Sequence, residues 1–256
     1  MAIITISRQI GSLGDEVAKT VADRLGYELI EKSQISKILS EHGFSSSDID
    51  QYDEKKPSLL QHLSMQKRVF ERLIRASVYE LAAKDDVVIV GRGAQVILKN
   101  IPGTLSVRII APDSTRVQRL MEQRECDEKK ALWVIQRSDQ NSSGYIHTYF
   151  NTDWDDSSLY DLILNTRTIP SSTCVEMIIS AVGSDRFTIT SPVSEKLIDL
   201  ALTQKVHAVL LEFDEVEESE LVVKNRRICF SGSLNPDVED ACKKALSNVK
   251  GIIEIS

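Results

Sequence analysis

The stretch IITISRQIGSLGDEVAKTVADRLG, residues Ile3–Gly26, decides how the rest of this 256-residue chain is read. Ile3, Ile4, Thr5 and Ile6 are apolar or β-branched and make a short buried strand. A loop follows that carries Gly11 and Gly14. From Asp15 onward Val17, Ala18, Val21, Ala22 and Leu25 recur on one helical face, and Gly26 is the residue that ends such a helix. Strand, glycine loop and helix is the order in which backbone N–H groups converge on a phosphate at a helix N-terminus. The full phosphate-loop signature, G-x-x-x-x-G-K-[ST], adds a lysine for the β- and γ-phosphates and a hydroxyl for magnesium. No lysine stands in this loop, and Asp15 and Glu16 open the helix instead. Two carboxylates there suit the helix dipole. Beside a polyphosphate they are costly, since like charges at about 4 Å repel by roughly 4 kcal/mol at an effective dielectric of about 20.

The chain is long enough for one large domain or a medium domain with a small one, and its mixture of apolar and charged residues is that of a globular protein. The net charge is −7, and residues 191–256 carry more than half of it, with 8 basic against 12 acidic residues. No basic run is suited to gripping nucleic acid. Cys126, Cys174, Cys229 and Cys242 are isolated, with neither C-x-x-C pairs nor histidines at ligand spacing, which points to reduced thiols rather than a metal site. The chain opens directly on a strand and has no apolar run near the roughly 20 residues that cross a bilayer. A cytoplasmic location without membrane association is therefore expected.

Downstream, short apolar strands alternate with helices. YELIEK reads as a second strand or loop and Lys32–Glu41 as a helix, while the polar stretch 42–58 reads as a loop. Leu59–Lys84 is a long helix whose cations Lys67, Arg68, Arg72 and Arg75 form a solvent face or reach a ligand. Val87–Val90 is a strand closed by Gly91-Arg92-Gly93, and LSVRIIAP is another. Helices are expected at Thr115–Arg124, Asp127–Gln136 and Ser172–Val182, with a loop over 141–158 and a strand in YDLILNT. Nearly continuous apolar strands between helices indicate a parallel sheet covered on both faces, an α/β fold. After a linker near Ser184–Val193 the rhythm becomes helix (Ser194–Leu202), two strands preceded by the acidic run EFDEVEESE, helix, strand, a small α+β (αββαβ) module. The division expected is 1–185 and 192–256.

The first part resembles the cytidylate kinase-like family of P-loop nucleoside monophosphate kinases, and the fold implied is the three-layer P-loop kinase fold. The resemblance rests on ITISRQIGSLGDEVA, set against the family's I-S-R-x-x-G-S-G-G-R-E-I-A. It also rests on VVIVGRGAQVIL with VRIIAP, and on RVQRLMEQR, RSDQ and YFNTDWDDSSLYDLILNT in that order. The last part resembles a BON domain, a small module for membrane or ligand association, which implies a protein or ligand partner. What the kinase resemblance implies is transfer of a phosphoryl group from ATP with Mg²⁺ to a nucleoside monophosphate, CMP or dCMP. The departures fall on the charges. Gly14 stands at the lysine position, Leu13 replaces a glycine, Asp15 takes the place of an arginine, and Ser142 stands where the lid has a further basic residue.

The resemblance assigns residues as follows. Ser7, Gly11, Ser12, Gly14, Asp15 and Glu16 form the phosphate cradle, with Asp15 or Glu16 a candidate magnesium ligand. Arg8 is a substitute cation or a surface ion pair. Arg92, followed by Gly93, contacts the acceptor or forms a structural ion pair; arginine suits the first task because its planar fork binds phosphate bidentately. Arg119, Arg124, Arg137 and Asp139 lie in the lid, where arginines neutralise the transferring phosphoryl group. Arg137 and Asp139 match R-x-D and are taken with Arg8 as the catalytic set; Arg119 and Arg124 also fit a plain solvated face. Trp133 and Trp154 are read as packing and lid contacts. Losses confined to charge stabilisers on a retained scaffold allow a second function, a catalytically impaired nucleotide-binding regulatory module signalling through the BON-like domain.

Overall fold

The computed structural model describes residues 2–54, 65–213, 221–230 and 235–255. In chain order the elements are β1 (Ile3–Arg8), α1 (Gly14–Leu25), β2 (Glu28–Ile30), α2 (Lys32–Glu41), α3 (Ser46–Glu54), α4 (Met65–Ala82), β3 (Val87–Val90), α5 (Ala94–Ile97), β4 (Thr104–Ile110), α6 (Asp113–Arg124), α7 (Glu128–Phe150), β5 (Leu162–Asn165), α8 (Ser171–Val182), α9 (Ser191–Leu210), β6 (Leu221–Lys224), β7 (Arg227–Phe230), α10 (Pro236–Leu246) and β8 (Glu254–Ile255). They divide into two compact units, residues 2–36 with 53–54 and 85–189, and residues 37–52 with 65–84 and 190–255.

The first unit is built on a five-stranded, wholly parallel sheet in the order β2-β3-β1-β4-β5. The expected α/β architecture is what forms. Central β1 pairs Ile3 with Val87 and with Thr104, and strands buried on both sides read as apolar runs for that reason. One face packs Ile4, Ile6, Val88, Val90, Val107 and Ile109 against Val17, Val21 and Ala22 of α1 and Val175 and Ile178 of α8. The other face is more polar. Thr5 donates to Ser106 across β1 and β4 at 3.1 Å, and Ser7 and Arg108 stand opposite one another in register.

In the second unit α4 packs along α9. Arg72 donates to Gln204 at 3.1 Å, and Lys205 pairs with Glu80 at 2.9 Å. A single cut after residue 185 would leave α4 with the sheet, whereas packing assigns it to the unit that contains α9. Chain order cannot reveal such a pairing, because an apolar helical stripe does not say which partner covers it. Lys67 is buried, not part of a solvent face, and burial lowers its ammonium pKa. The C-terminal part has the expected helix-strand-strand-helix-strand order, with β6 and β7 antiparallel and β8 parallel to β7. Val206, Leu210, Leu221, Ile228, Cys242 and Leu246 form its core. Asn225 and Arg226 turn the β6–β7 hairpin with φ of 52° and 61°, as a two-residue turn of the primed type requires. Asp199 accepts hydrogen bonds from both of their N–H groups, at 2.7 and 2.8 Å.

Two expected loops are helical. Residues 46–54 form α3, while 55–58 lie outside the described residues. The helix from Asp127 does not end at Gln136 but continues as α7 through Asn141-Ser142-Ser143-Gly144 to Phe150. Those residues have low helical propensity. The burial of Ala131, Ile135, Ile146 and Tyr149 along the helix carries it past them. Helix α9 likewise runs beyond the expected Leu202 to Leu210, with Leu197, Ala201, Val206 and Leu210 buried. Most of the acidic run before β6 lies outside the described residues. Among the described residues no helix is long and apolar enough to cross a membrane.

The four thiols separate cleanly by environment. Cys229 is exposed and Cys126 half-buried, whereas Cys174 and Cys242 are fully buried and burial raises the pKa of both. A chromogenic thiol reagent at neutral pH is expected to titrate Cys229 first and Cys126 more slowly. Cys174 and Cys242 should react only on addition of denaturant, and four fast equivalents in native protein would contradict this packing.

Candidate active site

The loop after β1 is shaped by its own backbone and by α6. Gln9 N–H donates to Ile109 O at 3.1 Å and its side-chain carbonyl accepts from Ala111 N–H, which ties the loop to the end of β4. The Ser12 hydroxyl donates to Gln9 O at 2.6 Å, closing a tight turn. Gly11 has φ of 76°, and a Cβ there would stand 3.1 Å from the backbone oxygen of Arg116. Leu13, also left-handed at 63°, occupies the N-cap of α1 without a side-chain acceptor. A non-glycine residue in that region costs about 1–2 kcal/mol. The first-turn N–H groups of α1 have no intrahelical partner. Uncapped, they form the donor end of an anion cradle.

Arg8 ends β1 and faces this cradle. Its stem lies directly on Gly14, where a Cβ would come within 2.3 Å of the Arg8 Cβ. Its Nε donates to Asp15 Oδ1 at 2.7 Å, so the arginine and the anomalous aspartate are one ion pair. Glu16 is exposed and accepts from the Ser171 hydroxyl at 2.7 Å. Ser7 is buried, and its hydroxyl accepts from the Trp154 indole N–H at 2.8 Å, which makes it a partner of the other cleft wall.

A cavity of about 600 Å³ opens at the C-terminal ends of β1, β2 and β3. Ser7, Arg8, Glu31, Lys32, Gly91, Arg92, Gly93, Asn141, Ser142, Tyr145 and Trp154 are among its lining residues. A second cavity of about 520 Å³ shares Arg8, Lys32, Arg92, Asn141 and Ser142 and adds Arg124, Trp133 and Arg137. Among the described residues, five cations thus line the two, against Glu31 as the one acid in their linings. This is the edge of an open parallel sheet at which ligands bind. Arg92 is held at φ of 58° between two glycines that are themselves left-handed, and a Cβ on Gly93 would stand 2.3 Å from the Phe150 ring. Arg137 stacks 5.1 Å from the centroid of the half-exposed Trp133 ring. Arg124, offered as part of a solvated helix face, lines the second cavity.

Three arginines behind the cleft are structural in geometry. Arg108 is buried, donates to Trp154 O and to Asp155, and lies 4.5 Å from the Trp154 ring and 5.4 Å from that of Tyr160. Burial pushes the Tyr160 phenol above its ordinary range. Arg119 does not sit on a solvated face, because it donates to Gly11 O, to Thr166 Oγ1 and to Thr166 O. Arg116 is 2% exposed and donates to Ile10 O, to Asp113 and to both oxygens of Asp139. Burial opposes its charge, and the two carboxylates more than compensate, so its pKa is raised. Asp139 is therefore held by Arg116 at the middle of α7 and does not line either basic cavity.

Sequence reading missed Lys32, Arg108 and Arg116. For Arg108 a signal existed: one arginine inside the apolar run of β4 must be paired. Lys32 and Arg116 lie on helices where cations usually face solvent, and nothing in the spacing marks them. Asp139→Ala is expected to lower stability by about 2–3 kcal/mol, less than a fully unpaired buried charge because Asp113 remains. Thermal denaturation checks this, and an unchanged melting temperature with lost activity would make Asp139 part of the chemistry instead.

The profile of the cytidylate kinase-like family matches residues 3–168. A cytidylate kinase of Archaeoglobus fulgidus is 30% identical over 185 residues, which cover 70% of this chain and 93% of that protein. One of Pyrococcus horikoshii is 28% identical over 166 residues, 64% of this chain and 79% of that protein. Among solved structures, an uncharacterized protein from Eubacterium ventriosum is similar at a TM-score of 0.54 and 26% identity, covering 71% of this chain and 97% of that one. With the parallel sheet, the glycine cradle at the start of α1 and the basic cleft in place, this chain belongs to the cytidylate kinase-like family.

Proposed function

We propose that this chain is a nucleoside monophosphate kinase that transfers the γ-phosphoryl group of ATP to CMP or dCMP. The observation that carries the reading is the set of Arg8, Lys32, Arg92, Arg124 and Arg137 lining two adjoining cavities at the end of β1, the strand from which the glycine loop leaves. Phosphoryl transfer asks for little covalent chemistry from a protein; it asks for alignment and charge stabilisation. The donor's phosphates fit the uncapped N-terminus of α1, and the acceptor fits the side of the cleft formed by Arg92, Gly93 and Tyr145. The acceptor phosphate is the nucleophile. Arg8 stands between the two, with Arg137 approaching from α7 and the strained Gly91–Gly93 turn presenting Arg92.

Magnesium needs only one or two carboxylates when phosphates supply the remaining oxygens. Among the described residues no cluster of three or more ligating side chains exists. Asp15 and Glu16, exposed in the first turn of α1, fit the smaller requirement. There they would hold the ion against the donor's phosphates, where it neutralises developing charge.

A second reading is favoured by the missing lysine and by the neutralisation of Arg8 by Asp15. On that reading the domain binds nucleotide without turning it over and acts through the C-terminal αββαβ part, whose arrangement suits a BON-like module with a protein or ligand partner.

Chromatography of purified protein with Mg-ATP and a mixture of CMP, dCMP, UMP, AMP and GMP separates the two. Diphosphate is expected from CMP or dCMP, and Arg92→Ala is expected to reduce kcat/KM by about 100-fold or more, the usual loss for a group aimed at the reacting phosphates. No diphosphate at high protein concentration, with ATP still bound, would favour the regulatory module.

A further inference from the structure

We propose that Asp15 is a positioning residue that holds Arg8 as the functional replacement for the phosphate-loop lysine, and that Gly14 is glycine to make room for it. The inference rests on the kinase reading above. In the G-x-x-x-x-G-K-[ST] arrangement the cation rises from the start of the helix. Here that position is Gly14, and any side chain there is excluded by Arg8, whose Cβ and Cγ lie 2.3 and 2.7 Å from where a Cβ would be. The cation is delivered from the end of β1 instead of the start of α1. The two sources cannot coexist: with Arg8 in this place, a lysine at position 14 would have no room.

The orientation of Arg8 is set at both ends. Its stem rests on Gly14. Its Nε is bound to Asp15 at 2.7 Å, and among the described residues no other hydrogen-bond partner of Arg8 is found. Its Nη1 reaches to within 3.3 Å of where a Cβ on Gly91 would be, so the guanidinium spans from the cradle to the turn that carries Arg92. A guanidinium is a rigid planar fork. With Nε committed to the aspartate, the two Nη groups remain to bind phosphate oxygens side by side, and Arg8 lines both cavities as this requires. The pair is partly exposed, 36% for Arg8 and 70% for Asp15, and such a pair contributes little to stability. Its consequence is geometric.

The test exploits a difference of sign. An aspartate that merely sits near the phosphates repels them, and its removal tightens anion binding. An aspartate that orients Arg8 weakens binding when removed. Titration calorimetry with inorganic triphosphate, without magnesium so that any service of Asp15 to a metal is silent, is run on the wild type, Asp15→Ala, Asp15→Asn, Arg8→Met and the Asp15→Ala/Arg8→Met pair. Asp15→Ala is expected to weaken binding by about tenfold and Asp15→Asn by less, since the amide oxygen still accepts from Nε. The double variant is expected to match Arg8→Met alone, as two residues acting as one unit do. Arg8→Lys, which keeps charge without the fork, should also make binding insensitive to Asp15, and it serves if Arg8→Met fails to fold. Tighter binding by Asp15→Ala, or losses that simply add, would overturn the proposal. Phosphoryl transfer by the wild type with tighter binding by Asp15→Ala overturns the positioning role alone. The expected binding pattern without transfer overturns the kinase reading alone, and a wild type that binds no triphosphate overturns both.

Discussion

A guanidinium that is 2% exposed has to be neutralised by its surroundings, and the cleft is arranged around the one at Arg116. Left unpaired, such a charge would cost several kcal/mol, so its partners are effectively locked. They come from three places: the carbonyl of Ile10 in the phosphate loop, Asp113 at the start of α6, and Asp139 in α7. One side chain therefore holds the loop, α6 and α7 in a common frame. Gly11 completes the contact, since only a residue without a side chain lets the loop approach the backbone of α6 so closely. Arg119 adds a second tie, from α6 to Gly11 and to the end of β5 at Thr166.

On that frame the charges of the family motif are redistributed. The protein as a whole carries a net charge of −7, yet among the described residues the cleft is lined by five cations and one acid. A basic cleft in an acidic surface concentrates field lines and draws anionic ligands to one place. Lysine is gone from the loop, while Arg8, Lys32, Arg124 and Arg137 approach the same volume from β1, α2, α6 and α7. Asp15 is paired with a cation, although most of its side chain stays exposed. The opposite wall is fixed by Arg108, whose cation–π and hydrogen-bond contacts hold Trp154 and Tyr160, with Trp154 bound in turn to Ser7.

The second unit has its own logic. Its C-terminal part closes a small core between two helices and a three-stranded sheet, and Asp199 satisfies the hairpin turn that joins β6 to β7. Helix α4 lies far from it in sequence and is part of it in packing. A stable helix of this length needs a partner for its apolar face, and α9 supplies one.

By itself the sequence determined the parallel sheet, the glycine cradle, the Gly91–Gly93 turn and the αββαβ order, because each rests on local rules: apolar runs, helical period and the backbone freedom of glycine. It also showed which cation was missing. Three matters were decided only by tertiary structure. Helix α7 persists through Asn141–Gly144 because buried residues on either side outweigh weak local propensity. Helix α4 joins the C-terminal unit because an apolar stripe does not name its partner. Arg8 and Asp15 form a pair, and Arg116 rather than any ligand holds Asp139, because the sign and spacing of charges fix what a residue is able to bind, while the folded backbone fixes which partner stands within about 3 Å of it.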